Sequence, residues 1–152
     1  MLARHPEVLN LSEFFNGLDM ARRFSPEPCS GREFAELIGA EQPVVTAVVR
    51  RGYDVSEVVY PFGEPGASYG RADRLPWLLV TLVPRITDRP DAFNQALLAR
   101  AADFPSQPPV EHYRALFEWI GEQLGRRYWI ERSGSSVHYA ADLVQAFPEA
   151  RF

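Results

Sequence analysis

The chain has 152 residues, of which 46% are hydrophobic and 24% charged, a balance that fits one globular domain and excludes whole-chain disorder. Sixteen basic residues against twenty acidic ones leave a formal charge of −4, so there is no basic excess to hold nucleic acid or anionic lipid non-specifically. Every basic residue is arginine, which excludes chemistry that needs a lysine from this chain.

Thirteen prolines, clustered at 26–28, 61–65, 84–90 and 105–109, punctuate the chain. The first residues read as the last turn of a helix, and Val8-Leu9-Asn10-Leu11 behind them is a short apolar run that predicts a strand. Ser30-Gly31-Arg32-Glu33 is a capping-box pattern, with Phe34, Leu37 and Ile38 on one helical face behind it. Pro43 suits the first turn of a further helix, yet the Val44–Val49 run that follows is β-branched and equally suits a strand. Pro90 and Asp91 open a helix with Phe93, Ala96, Leu97, Ala101 and Phe104 apolar. The clearest helix spans 110–124, where Tyr113, Leu116, Phe117, Ile120 and Leu124 recur at helical spacing before a capping Gly125. Tyr128-Trp129-Ile130 predicts a second strand, followed by a Ser/Gly loop. A last helix carries Val137, Ala140, Ala141, Val144 and Phe147. Ala150-Arg151-Phe152 reads as the start of another strand. This order predicts an α/β domain with a parallel sheet, and its two unfinished ends suggest the middle of a domain.

Few residues point to chemistry. The single Cys29 forms neither an internal disulfide nor a cysteine zinc site. The longest apolar run, 77–83, is far short of the roughly 20 residues of a membrane helix. With no signal-type stretch in residues 1–7, a cytoplasmic location without a membrane span is expected. Histidines 5, 112 and 138 lack metal-ligand spacing, so no metal is expected. Ser136, His138 and Asp142 do not make a triad: residues two apart on a helix face different ways, and no nucleophile-elbow motif is present. Arg132-Ser133-Gly134-Ser135-Ser136 follows a strand and opens a helix, which fits an N-capping serine loop and also a phosphate-binding turn. Glu13, in Leu11-Ser12-Glu13-Phe14-Phe15, ends the first strand, where α/β sheets place ligands; an exposed turn glutamate fits the same position.

Taken together, these segments resemble the sulfotransferases that use 3′-phosphoadenosine 5′-phosphosulfate (PAPS), in their bacterial carbohydrate- and lipid-type branch. Residues 1–8 and Ser12-Glu13-Phe14-Phe15 resemble the helix, strand and Glu-Phe-Phe turn that follow the family's first phosphate loop. Trp129-Ile130-Glu131-Arg132-Ser133-Gly134 resembles its Trp-x-Glu-Lys-Thr/Ser strand and loop, and Phe147-Pro148-Glu149-Ala150-Arg151-Phe152 its Phe-Pro-Asp-Ala-Arg-Phe segment. The chain departs from the family in carrying Arg132 where lysine is usual, and in showing neither the 5′-phosphosulfate loop nor the Arg-Asp and serine of the 3′-phosphate site.

The resemblance implies a partial three-layer, parallel-sheet fold of the P-loop NTPase-like kind. Residues 1–152 would form one domain, incomplete at both ends and inactive as an isolated fragment. It implies in-line sulfuryl transfer from PAPS to an acceptor hydroxyl on a carbohydrate, lipid or other small molecule. Glu13 would be the general base, Arg132 would offset charge on the transferring group, and Arg132 and Ser133 would bind the cofactor. Tyr60, Phe62, Tyr69 and Trp77 would supply either flat acceptor surface or core packing. The alternative is a non-catalytic remnant or a small interaction module, with self-association through exposed sheet edges. A nucleotide hydrolase built on Ser133–Ser136 fails for want of a lysine and of Walker-type glycines.

Overall fold

A computed structural model describes residues 5–151. The expected helical turn at the N-terminus falls on residues 1–4, which lie outside the described residues, as does Phe152. Strand β1 (Val8–Ser12) leads into an extended turn region, then helices α1 (Gly31–Ile38) and α2 (Pro43–Arg50). A loop-rich stretch follows, with the short helices α3 (Trp77–Thr81) and α4 (Val83–Ile86). Helices α5 (Pro90–Ala102) and α6 (Pro109–Leu124), strand β2 (Tyr128–Arg132), a single 3₁₀ turn (Ser136–Tyr139) and α7 (Ala140–Ala146) complete the chain. None of these helices is long and apolar enough to cross a membrane.

The two strands pair in parallel, with Val8 opposite Tyr128 and Ser12 opposite Arg132, so both end at the same edge. The fold is therefore mixed α/β around a small parallel sheet, as the alternation of elements predicts. Residues 150–151 carry no strand. Leu9 and Leu11, both buried, share a sheet face with Trp129, which packs on Phe117 of α6 at 5.0 Å. Along the opposite face Val8, Asn10 and Ile130 are half-buried and Tyr128 is 52% exposed.

Local chemistry accounts for the helix starts. Ser30 Oγ accepts the Glu33 N–H, and the Glu33 carboxylate accepts the Ser30 N–H at 2.7 Å, a complete capping box. The Val44–Val49 run resolves as helix. Pro43 sits in its first turn, and the Gln42 side chain accepts the Val45 N–H. Burial of Val45, Thr46 and Val49 but not Val44 follows a helical stripe rather than strand alternation. Gly125 caps α6 in the left-handed region at φ 63°.

Helix α7 corrects one expectation. Val137, Ala140, Ala141 and Val144 are exposed, whereas Tyr139, Leu143 and Phe147 face the core. The 3₁₀ turn ahead of α7 sets the phase, and the larger side chains at i, i+4 and i+8 take the buried stripe.

The centre of the core is aromatic. Phe14 and Phe15, which directly follow β1, are fully buried and meet Tyr113 and Phe117 edge-on, Phe14 to Phe117 at 4.9 Å and Phe15 to Tyr113 at 5.0 Å. Each fully buried phenylalanine contributes roughly 1.5–3 kcal/mol. Two in succession anchor the turn that Glu13 opens.

Candidate functional site

Glu13 is the only non-glycine residue at positive φ among the described residues, at 61°. A left-handed glutamate costs free energy and persists only where its surroundings fix it. Three contacts do so here. Its N–H donates to Arg132 O at 3.1 Å, which extends the sheet pairing by one residue. Its carbonyl accepts the Trp77 Nε1–H at 2.7 Å. Phe14 and Phe15 turn into the core immediately after it.

The bend carries the Glu13 carboxylate across to the loop after β2. Oε1 accepts the Gly134 N–H at 3.1 Å and Oε2 accepts the Asn16 amide at 2.9 Å, while Ser135 Oγ closes the ring by donating to Asn16 Oδ1. Glu13 and the Ser133–Gly134 loop thus meet at the C-terminal edge of the sheet. The Arg132 guanidinium is exposed, and among the described residues it forms neither an ion pair nor a hydrogen bond with Glu13. Ser133 is 6% exposed, and its hydroxyl donates to the Glu131 carboxylate. Its carbonyl receives the Ser136 N–H and hydroxyl, the pattern of a serine-stabilised turn.

Sequence reasoning assigns no role to three residues that surround this edge, Glu131, Arg23 and Tyr139, and reads a fourth, Trp77, only as acceptor surface or core packing. Glu131 alternates with Trp129 and so points to the core side of β2. Burial, assisted by the nearby Glu13 charge and opposed by the Ser133 hydroxyl, pushes its carboxyl from the ordinary 4.5 up to about 7. Arg23 is 6% exposed: Nη1 donates to Phe15 O at 3.1 Å, Nε has no partner among the described residues, and the guanidinium lies 4.0 Å from the centre of the Tyr139 ring. Tyr139 is buried on the 3₁₀ turn, with its hydroxyl toward Ser133 and Ser135 but without a hydrogen bond of normal geometry. Trp77 holds the Glu13 carbonyl, as described. A two-residue alternation was the available signal for Glu131. Arg23, in a stretch without periodicity, gave none.

Other candidates separate from this edge. Ser136 is tied to Ser133, while His138 and Asp142 are exposed, so no triad forms. His112 is fully buried, stacked on Phe34 at 4.6 Å and bonded to the Cys29 carbonyl at 2.9 Å. Among the described residues no cluster of three or more His, Cys, Asp or Glu side chains is placed to hold a metal. Tyr60 and Trp77 are each 4% exposed, so they pack the interior; the Tyr60 hydroxyl donates to Asp91 and accepts the Ser68 and Tyr69 N–H groups. A groove of about 590 Å³ runs along β2, walled by Trp129, Leu143 and Phe147 and reaching Phe15, Glu131 and Ser136 at the site. Comparison of the chain with protein-family profiles, with curated proteins and with solved structures finds no match in any of the three.

Proposed function

We propose that this chain is a sulfotransferase-type domain of three-layer, P-loop NTPase-like architecture, acting in sulfuryl transfer from PAPS to an acceptor hydroxyl. The observation that carries the reading is the Glu13 carboxylate resting on the Gly134 amide, because it joins the two segments whose sequences resemble the family. Glu13 takes the acceptor's hydroxyl proton as the acceptor oxygen attacks sulfur and the bond from sulfur to the 5′-phosphate oxygen breaks. Arg132, its guanidinium exposed at the same edge, offsets the charge that grows on the departing phosphate. The groove along β2 gives a small-molecule or glycolipid acceptor a path to that edge.

Titration with the product nucleotide, 3′-phosphoadenosine 5′-phosphate, followed by amide chemical shifts tests this reading. Residues 1–152 lack the family's phosphate-loop motifs, so the expected binding is weak. It should still be tighter than that of adenosine 5′-monophosphate, perturb residues 132–136, and weaken about tenfold in Arg132→Ala, the loss expected for one charge-assisted contact. Shifts no larger than those from adenosine 5′-monophosphate, or identical titrations for Arg132→Ala, would refute it. The exposed Tyr128 and the open groove beside β2 favour a second reading, a non-catalytic module that accepts a partner strand or a second copy there. That reading expects concentration-dependent association and no nucleotide response.

A further inference from the structure

Three buried polar atoms lack partners among the described residues: Arg23 Nε, Tyr113 Oη and Tyr139 Oη. They are not scattered. The Arg23 guanidinium stacks on the Tyr139 ring at 4.0 Å, and its charge also reaches the Tyr113 hydroxyl. Buried arginines are ordinarily paired with a carboxylate, and buried hydroxyls are ordinarily hydrogen-bonded. Arg23 has no salt-bridge partner among the described residues; its one hydrogen bond goes to the neutral Phe15 carbonyl. A buried cation beside two hydroxyls that lack a hydrogen bond of normal geometry among the described residues is a costly arrangement for a structural core and an efficient one for receiving an anion.

The position of the cluster identifies what enters it. Tyr139 closes the 3₁₀ turn that begins at Ser136, and its hydroxyl is directed at Ser133 and Ser135 in the loop after β2. The groove along β2 is walled by Phe15, Glu131 and Ser136; Arg23 and Tyr139 lie behind that wall, Arg23 on the Phe15 carbonyl, so an entering anion has to displace part of it. We infer that Arg23 and Tyr139 form, with the Gly134 amide, a subsite for a tetrahedral oxyanion, the sulfate-like group of the substrate or product. The inference rests on the sulfuryl-transfer reading for its ligand and adds two binding residues that the sequence motifs do not include. The Glu13 carboxylate occupies the Gly134 N–H here, so an arriving oxyanion displaces it. The same event frees Glu13 for the acceptor hydroxyl. Glu131 flanks the Tyr139 hydroxyl from the strand side and, with its carboxyl pushed up to about 7, is neutral below that pH.

The test is a chemical-shift titration of the protein with sodium sulfate, with pyrophosphate and with 3′-phosphoadenosine 5′-phosphate, on wild type, Tyr139→Phe and Arg23→Met. Tyr139→Phe removes only an oxygen that lacks a hydrogen bond of normal geometry among the described residues, so thermal stability should be equal or higher while sulfate affinity falls about tenfold. Arg23→Met should lower it further; if that variant does not fold, Tyr139→Phe alone decides. Glu13→Gln should raise sulfate affinity, because the competing carboxylate charge is gone. Tyr139→Phe titrating like wild type, or losing thermal stability, overturns the subsite. If the variants weaken sulfate as expected but the nucleotide binds no tighter than pyrophosphate, the subsite stands and the sulfotransferase reading falls. If the nucleotide binds and neither variant matters, the subsite falls and the reading stands. Absence of any oxyanion binding removes both.

Discussion

Replacing Glu131 with glutamine separates charge from shape at the most perturbed carboxyl of the candidate site. Burial, with the Glu13 charge adding to it and the Ser133 hydroxyl opposing, raises this group from 4.5 to about 7 in the folded protein. The unfolded chain loses the proton at the ordinary value. Between the two values the folded state holds more protons than the unfolded one, so stability falls as pH rises through about 7, and below about 4.5 the penalty is absent. The full shift amounts to roughly 3 kcal/mol. Part of the side chain meets solvent, which lowers the expected effect to about 2 kcal/mol. Urea unfolding followed by tryptophan fluorescence at about pH 5, 6, 7 and 8 measures it. Wild type should lose about 1.5 kcal/mol more than Glu131→Gln between the two ends of that range, the remainder of the effect lying below about pH 5, and the variant should match or exceed wild type at about pH 8. Glutamine still accepts the Ser133 hydroxyl proton, so the comparison isolates ionisation. Parallel stability curves would show that Glu131 titrates alike in both states, and the electrostatic account of this edge would be wrong.

How far the sequence could be read depended on whether a local pattern or a tertiary contact decides each position. The strands, the α1 capping box and the long α6 stripe rest on short-range rules and are legible. So is the shared edge, because two parallel strands in register bring their following residues together. The valine run at 44–49 shows the limit: its propensity favours a strand, and helix wins because Pro43, the Gln42 cap and burial of Val45 and Val49 outweigh β-branching. In α7 the apolar pattern misleads, because small alanines and valines on the outer face mimic a buried stripe while Tyr139 and Leu143 occupy the inner one. At the site, Glu13 was readable from its place after a strand, but its left-handed backbone was not. That conformation depends on Trp77, 64 residues away. Arg23 escaped for the opposite reason: the second arginine of Ala21-Arg22-Arg23-Phe24-Ser25, a stretch without periodicity, carries no local sign of burial, and only the packing of Phe15 and Tyr139 around it makes it buried.

Two further changes test local and long-range links in this account. Ser30→Ala removes the hydroxyl arm of the capping box and leaves the backbone N–H of residue 30 on the Glu33 carboxylate; it should cost roughly 1 kcal/mol in urea unfolding, with the Glu33 carboxyl rising only part of the way toward its ordinary range. A cost near zero would mean that α1 is held by Phe34, Leu37 and Ile38 alone. The second change concerns Trp77, whose ring packs so closely on Gly17 that a Cβ there would come within 2.1 Å of Trp77 Cγ. Trp77→Phe combines a smaller ring with loss of the donor to the Glu13 carbonyl, and should cost roughly 1–3 kcal/mol. Benzothienylalanine at position 77 keeps the bicyclic shape and replaces only the N–H. That substitution should cost about 1 kcal/mol, the usual penalty for one lost hydrogen bond. If Trp77 holds Glu13 in its left-handed turn, the Phe14 and Phe15 amides should also exchange faster, while amides of α5 far from the turn keep their protection. Unchanged exchange at Phe14 and Phe15 in both variants would mean that the buried phenylalanines fix the turn unaided, and that Trp77 is packing and nothing more.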